Sequence, residues 1–178
     1  MNSSGENAQI ADRFSVIAYR FCSTVDAVST LDRTDLLSKL YRILSALISE
    51  AIGLPDVSRD DDDELEGMSK RGFHIGGLTE QEWGKLYNCL KEKLGDWDLY
   101  HQVFDPTKDT EAIFGSLADD IADIYRDLKK GLALGESHQS LCDEDAIWTW
   151  RLLFYSHWGQ HAMQALHAIH FRLQQVLA

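Results

Sequence analysis

Apolar residues recur at three- and four-residue steps along most of this chain, the period of an amphipathic helix. Phe14, Ile17, Ala18, Phe21, Val25 and Val28 predict a first helix over residues 9–30. Leu36, Leu37, Leu40, Ile43, Leu44, Leu47 and Ile48 predict a second over 34–52, capped by Asp32 or Thr34. Gly53 followed by Pro55 should end it, with the glycine in a left-handed cap. Thr79 and Glu82 have capping-box spacing and open a third helix that runs through Trp83, Leu86, Tyr87, Leu90 and Leu94 to Gly95. A fourth is predicted over 109–131. A long fifth is predicted over 143–177, with a kink near Gly159. No run alternates as a half-buried strand does. The expectation is an all-α single domain over 1–178, a mostly up-and-down bundle of about five helices. A flexible acidic and glycine-rich loop is expected at 53–78.

Composition narrows the function classes. A chain of 178 residues can bury a sizeable core without disulfides. Its net charge of −12, with the run Asp60-Asp61-Asp62-Asp63-Glu64 and no basic patch, speaks against nucleic acid and against anionic membrane surfaces. Cys22, Cys89 and Cys142 are far apart and form no CxxC pair, so reduced thiols in a cytoplasmic protein are expected. There is no signal-peptide pattern at the start, and no apolar run of about 18 residues that could span a membrane.

The chemistry concentrates in the last two predicted helices. On a helical wheel centred on Leu117, Asp120, Asp123 and Asp127 form one ridge along the flank of the apolar stripe, while Asp119 and Arg126 point away. Three carboxylates this close need a cation, a histidine or an arginine among them, raised pKa values, or water. The fifth helix has two faces of large side chains. Trp148, Leu152, Tyr155, Gly159, Met163, Leu166 and Leu173 line the one expected to be core. Trp150, Leu153, His157, His161 and Gln164 line the other. His157 and His161 are one turn apart, so both imidazoles can reach one divalent metal ion whose shell carboxylates complete. Two readings stand. One is a shared metal site of Asp120, Asp123, Asp127, His157 and His161. The other is a solvated, salt-bridged flank beside packed histidines. Asp119-Asp120-Ile121-Ala122-Asp123 matches the DDxxD pattern of terpene-forming enzymes, but no second metal motif accompanies it.

Several segments carry a family resemblance. They are Gly95-Asp96-Trp97-Asp98-Leu99-Tyr100, Val103-Phe104-Asp105-Pro106, the stretch from Gly115 to Leu128, Trp148-Thr149-Trp150-Arg151, and His157-Trp158-Gly159-Gln160-His161. In these the chain resembles a bacterial family catalogued only as a domain of unknown function. The resemblance implies a small, helical, cytoplasmic protein and no particular activity.

Two functions are expected from the residues. In the first, the metal activates water for hydrolysis of a phosphate-containing small molecule, with Trp150, Trp158 and Gln164 binding the substrate. In the second, the aromatic fifth helix and the connector near Tyr100 and Phe104 dock a protein partner or a second copy.

Overall fold

The computed structural model describes residues 3–57, 77–137 and 144–177. Five helices dominate it, as the periodicity implies: α1 (Ser3–Asp26), α2 (Arg33–Ile52), α3 (Glu80–Leu94), α4 (Leu117–Ser137) and a fifth in two pieces. The pieces are α5 (Glu144–Leu153) and α6 (Gly159–Leu177), joined by a π-helical turn over Phe154–Trp158. Most of the acidic loop, and Cys142 with it, lies outside the described residues.

Local chemistry sets the helix ends. The Asp32 carboxylate accepts the Asp35 N–H at 2.9 Å and caps α2. The Thr79–Glu82 capping box opens α3. Gly53 does not take the left-handed cap expected of it; its φ is −86°, and its N–H bonds the last turn of α2. Among the described residues the left-handed glycine is Gly95, with φ +56° at the end of α3.

The fourth helix starts later than its periodicity suggests. Ile113–Ser116 is a strand, β2, paired antiparallel with β1 (Leu99–Gln102), and only then does α4 begin. The hairpin is fastened to α4 by Asp98. Its carboxylate accepts the Ser116 hydroxyl at 2.9 Å and the Ala118 N–H at 2.8 Å, and its carbonyl accepts the Leu117 N–H. A carboxylate at a helix N-terminus answers both the free N–H groups and the helix dipole.

Helix α4 is central. It packs against α1, α3, α5 and α6 and is buried on almost every side. Where α5 crosses it, the Trp150 indole lies on Gly131, with no room for a β-carbon there. The π-turn inserts extra backbone and rotates everything after it, so the fifth helix does not keep the faces of a regular wheel. Tyr155 and Met163, expected in the core, are exposed. Trp150, Phe154, Trp158, Ala162, Ala165 and Ile169 form the buried stripe instead.

Candidate metal centre

The central position of α4 decides what becomes of its aspartates. Asp120, Asp123 and Asp127 are 2%, 8% and 1% exposed, because α3 and the fifth helix cover the flank on which they stand. Buried carboxylates require partners. The structure supplies them from the π-turn and α6. His157 Nδ1 lies 2.6 Å from Asp127 Oδ2, and His161 Nδ1 lies 2.8 Å from Asp120 Oδ1. An ionised carboxylate only accepts, so each Nδ1 carries the hydrogen. That leaves both Nε2 atoms turned the other way, and each lies 3.7 Å from the same oxygen, Asp123 Oδ2.

Each of these three side chains is held from behind. Asp123 Oδ1 accepts the Trp83 indole N–H at 2.8 Å and pairs with Arg126 Nη2 at 2.8 Å, leaving Oδ2 for the imidazoles. Lys130 Nζ donates to Asp127 Oδ1 at 2.9 Å. The Tyr100 hydroxyl donates to Asp120 Oδ2 at 2.7 Å. Donors of this kind fix tautomer and ring orientation behind metal-ligating histidines.

Asp123, His157 and His161 suit a metal ion in donor type and spacing. Ligand atoms at bond lengths of about 2.1 Å around a tetrahedral ion stand roughly 3.4 Å apart, close to the 3.7 Å seen from Asp123 to each ring. Asp119, Asp120 and His161 form a second grouping. Asp119, expected to point away, is instead half-buried beside them.

Charge also favours a cation here. With both rings neutral, Asp119, Asp120, Asp123 and Asp127 outnumber Arg126 and Lys130 by two charges, which one divalent ion would neutralise. Burial, then the neighbouring Asp123 and Asp120, pushes the Asp119 carboxyl up. Burial also raises Asp120, against the hydrogen bonds from His161 and Tyr100. For Asp127 burial acts upward too, but the hydrogen bonds from His157 and Lys130 outweigh it and the carboxyl is held below its ordinary range. Burial would lower His161; the hydrogen bond to Asp120 and the charges of Asp120, Asp123 and Asp119 outweigh it, and the ring is raised above 6.5.

A raised imidazole means that folding takes up a proton. Its stabilisation is complete below the unfolded value of 6.5 and is lost as pH rises through the folded value. Urea unfolding of metal-free protein should therefore show stability falling from pH 6.5 towards about pH 7.5, below the thiol range. His161→Gln should flatten that limb. A rise over the same interval would contradict the ring's surroundings as described.

The structure brings Asp120, Asp123, Asp127, His157 and His161 into one cluster, with Asp120 and Asp127 behind the rings and not beside the ion position. The substrate-binding expectation for Trp150 and Trp158 is corrected. Both are 0% exposed, packed around Phe14, with their indole N–H groups bonded to the carbonyls of Leu128 and Trp150. A fully buried ring has no face to offer a ligand. Gln164 is half-buried on α6, one turn beyond His161. Trp83, Tyr100, Arg126 and Lys130 were missed as parts of the cluster. Their only signal was residue type, since Arg126 and Lys130 lie off the apolar stripe of α4, Trp83 sits among the core positions of α3 and Tyr100 lies in the connector.

Fold and cluster together define a helical bundle with a carboxylate–histidine centre packed around its fourth helix. The chain belongs to DUF5063, a domain of unknown function, whose family model matches residues 6–175. The crystal structure of protein BF1032 from Bacteroides fragilis is similar, with a TM-score of 0.69 at 21% identity over 89% of this chain and 88% of that one. At that identity the likeness extends to the fold. No curated protein matches the chain. Among the described residues, no helix is long and apolar enough to cross a membrane.

Proposed function

We propose that this protein binds one divalent transition-metal ion through Asp123, His157 and His161 and uses it to hydrolyse a phosphate-containing small molecule. The observation that carries the reading is the convergence of both Nε2 atoms on one oxygen of Asp123. Imidazole donors favour zinc, copper, iron or nickel over magnesium, calcium and manganese. Three protein ligands leave a position open, which is the pattern of catalytic and not of structural sites. The ion would activate water, which adds across a P–O ester bond to give an alcohol and a phosphate. Arg126 and Lys130, each paired with an aspartate of the cluster, are the positive groups that would offset a phosphate's charge there.

Thermal unfolding of metal-stripped protein against a panel of divalent cations tests the binding step. At a cation concentration about 100-fold above Kd the folded state should gain about 2.7 kcal/mol. The gain should be specific to transition metals and absent in His157→Ala and Asp123→Ala. Turnover of p-nitrophenyl phosphate should follow the same metals. If no cation raises the melting temperature, the cluster is a closed network of ion pairs and the reading fails.

One observation favours the interaction reading as well. Leu99, Phe104, Ile113 and Phe114 are each exposed on the hairpin and its loop. A concentration-dependent shift in sedimentation that Phe114→Ser abolishes would support self-association, and a strict monomer would oppose it.

A further inference from the structure

Among the described residues the hairpin is the one departure from an all-helical bundle, and its Tyr100 side chain reaches a buried carboxylate of the cluster. In the antiparallel register Tyr100 faces Gly115. A β-carbon on Gly115 would lie 2.6 Å from Tyr100 Cζ and 2.8 Å from its hydroxyl oxygen. The phenol therefore occupies the space that a side chain at 115 would fill. From there its hydroxyl bonds Asp120 Oδ2, while Asp120 Oδ1 bonds His161 Nδ1. Asp98 pins the hairpin to the first turn of α4, which fixes the height of Tyr100 over Asp120 in that same turn.

We propose that Tyr100 is a positioning residue for His161: through Asp120 it holds the ring with its hydrogen on Nδ1 and its Nε2 free for the metal. This rests on the metal-site reading above. The physical argument is one of satisfaction. Asp120 is buried, and each of its oxygens has one strong donor. Removing the phenol hydroxyl orphans Oδ2, and a buried orphan is costly enough for the carboxylate to turn toward other donors. Its bond to His161 Nδ1 then weakens, and the ring is free to exchange tautomers or rotate. His157 is an internal control, since Asp127 and Lys130 hold it without any contribution from the hairpin.

The test is Tyr100→Phe, with Gly115→Ala as a second variant that displaces the phenol by a different route. Nitrogen-15 spectra of the histidine side chains, recorded on metal-free protein at alkaline pH, report the tautomer directly. In the parent, His161 should show a protonated Nδ1 and a bare Nε2. In Tyr100→Phe the two nitrogens of His161 should move toward a mixed population, with His157 unchanged. Zinc affinity by calorimetry should weaken by up to about 10-fold, the low end for groups behind a metal ligand. Parent-like His161 signals in Tyr100→Phe would overturn the proposal, whatever zinc does. If the parent binds no cation, the metal reading fails separately, and the spectra still decide the role of Tyr100.

Discussion

Replacing Trp150 with alanine is expected to lower folding stability by about 3–5 kcal/mol, the range for truncating a large buried aromatic. Domains carry roughly 5–15 kcal/mol in all, so this one change removes a large share. The ring is fully buried and meets Phe14 at a centroid distance of 5.0 Å. Its N–H donates to the Leu128 carbonyl at 3.1 Å, and its face rests on Gly131. It therefore joins α1, α4 and α5 at one point. Truncation opens a void among three helices that cannot close over it without moving all three. Trp150→Phe keeps most of the volume and loses the hydrogen bond, and should cost about 1–2 kcal/mol. Urea unfolding followed by circular dichroism decides the matter. A loss under about 1 kcal/mol in the alanine variant would mean that the site collapses freely, which a joint of three helices should not do.

That role for Trp150 could not be read from a wheel, and the reason is geometric. Periodicity assumes about 3.6 residues per turn. It holds through α1, α2 and α3, where the apolar positions named from sequence are buried or half-buried and the Thr79–Glu82 box opens its helix as written. It fails in the fifth helix, where Trp150 is buried while Trp148 and Leu152 are only half-buried, and where the π-turn at Phe154–Trp158 then shifts the phase. The hairpin was illegible for another reason. Leu99–Gln102 and Ile113–Ser116 are only four residues each; burial alternates along the first, but no matching alternation of apolar and polar residues marks either in the sequence. Of the cluster, the aspartate ridge and the histidine pair were visible as spacings. That they meet was not, because convergence depends on which helices neighbour α4. The burial of Asp119 escaped for the same reason: a wheel knows one apolar face, and α4 is covered on several.

Asp127→Asn should weaken transition-metal binding by about 100-fold and Asp120→Asn by only about 10-fold, the two ends of the range for groups behind a metal ligand. The substitutions are the same chemically; the difference lies in the second partner of each carboxylate. An asparagine amide has one accepting oxygen and one donating nitrogen. At 127 both partners donate: His157 Nδ1 at 2.6 Å and Lys130 Nζ at 2.9 Å. If the amide oxygen serves His157, the amide N–H groups face the ammonium. If it serves Lys130, the amide nitrogen faces His157 Nδ1 and drives the ring's hydrogen onto Nε2, where it blocks the metal. At 120 the second partner is the Tyr100 hydroxyl, which can accept as well as donate. The amide oxygen can keep the His161 hydrogen, the amide nitrogen can donate to the phenol, and the phenol can turn its own hydrogen to Gln102 Oε1, 3.3 Å away. Isothermal calorimetry with zinc on the two variants measures the contrast. Equal losses, or a greater loss at 120, would mean that the buried carboxylates act on the rings through charge alone and do not set which nitrogen is free.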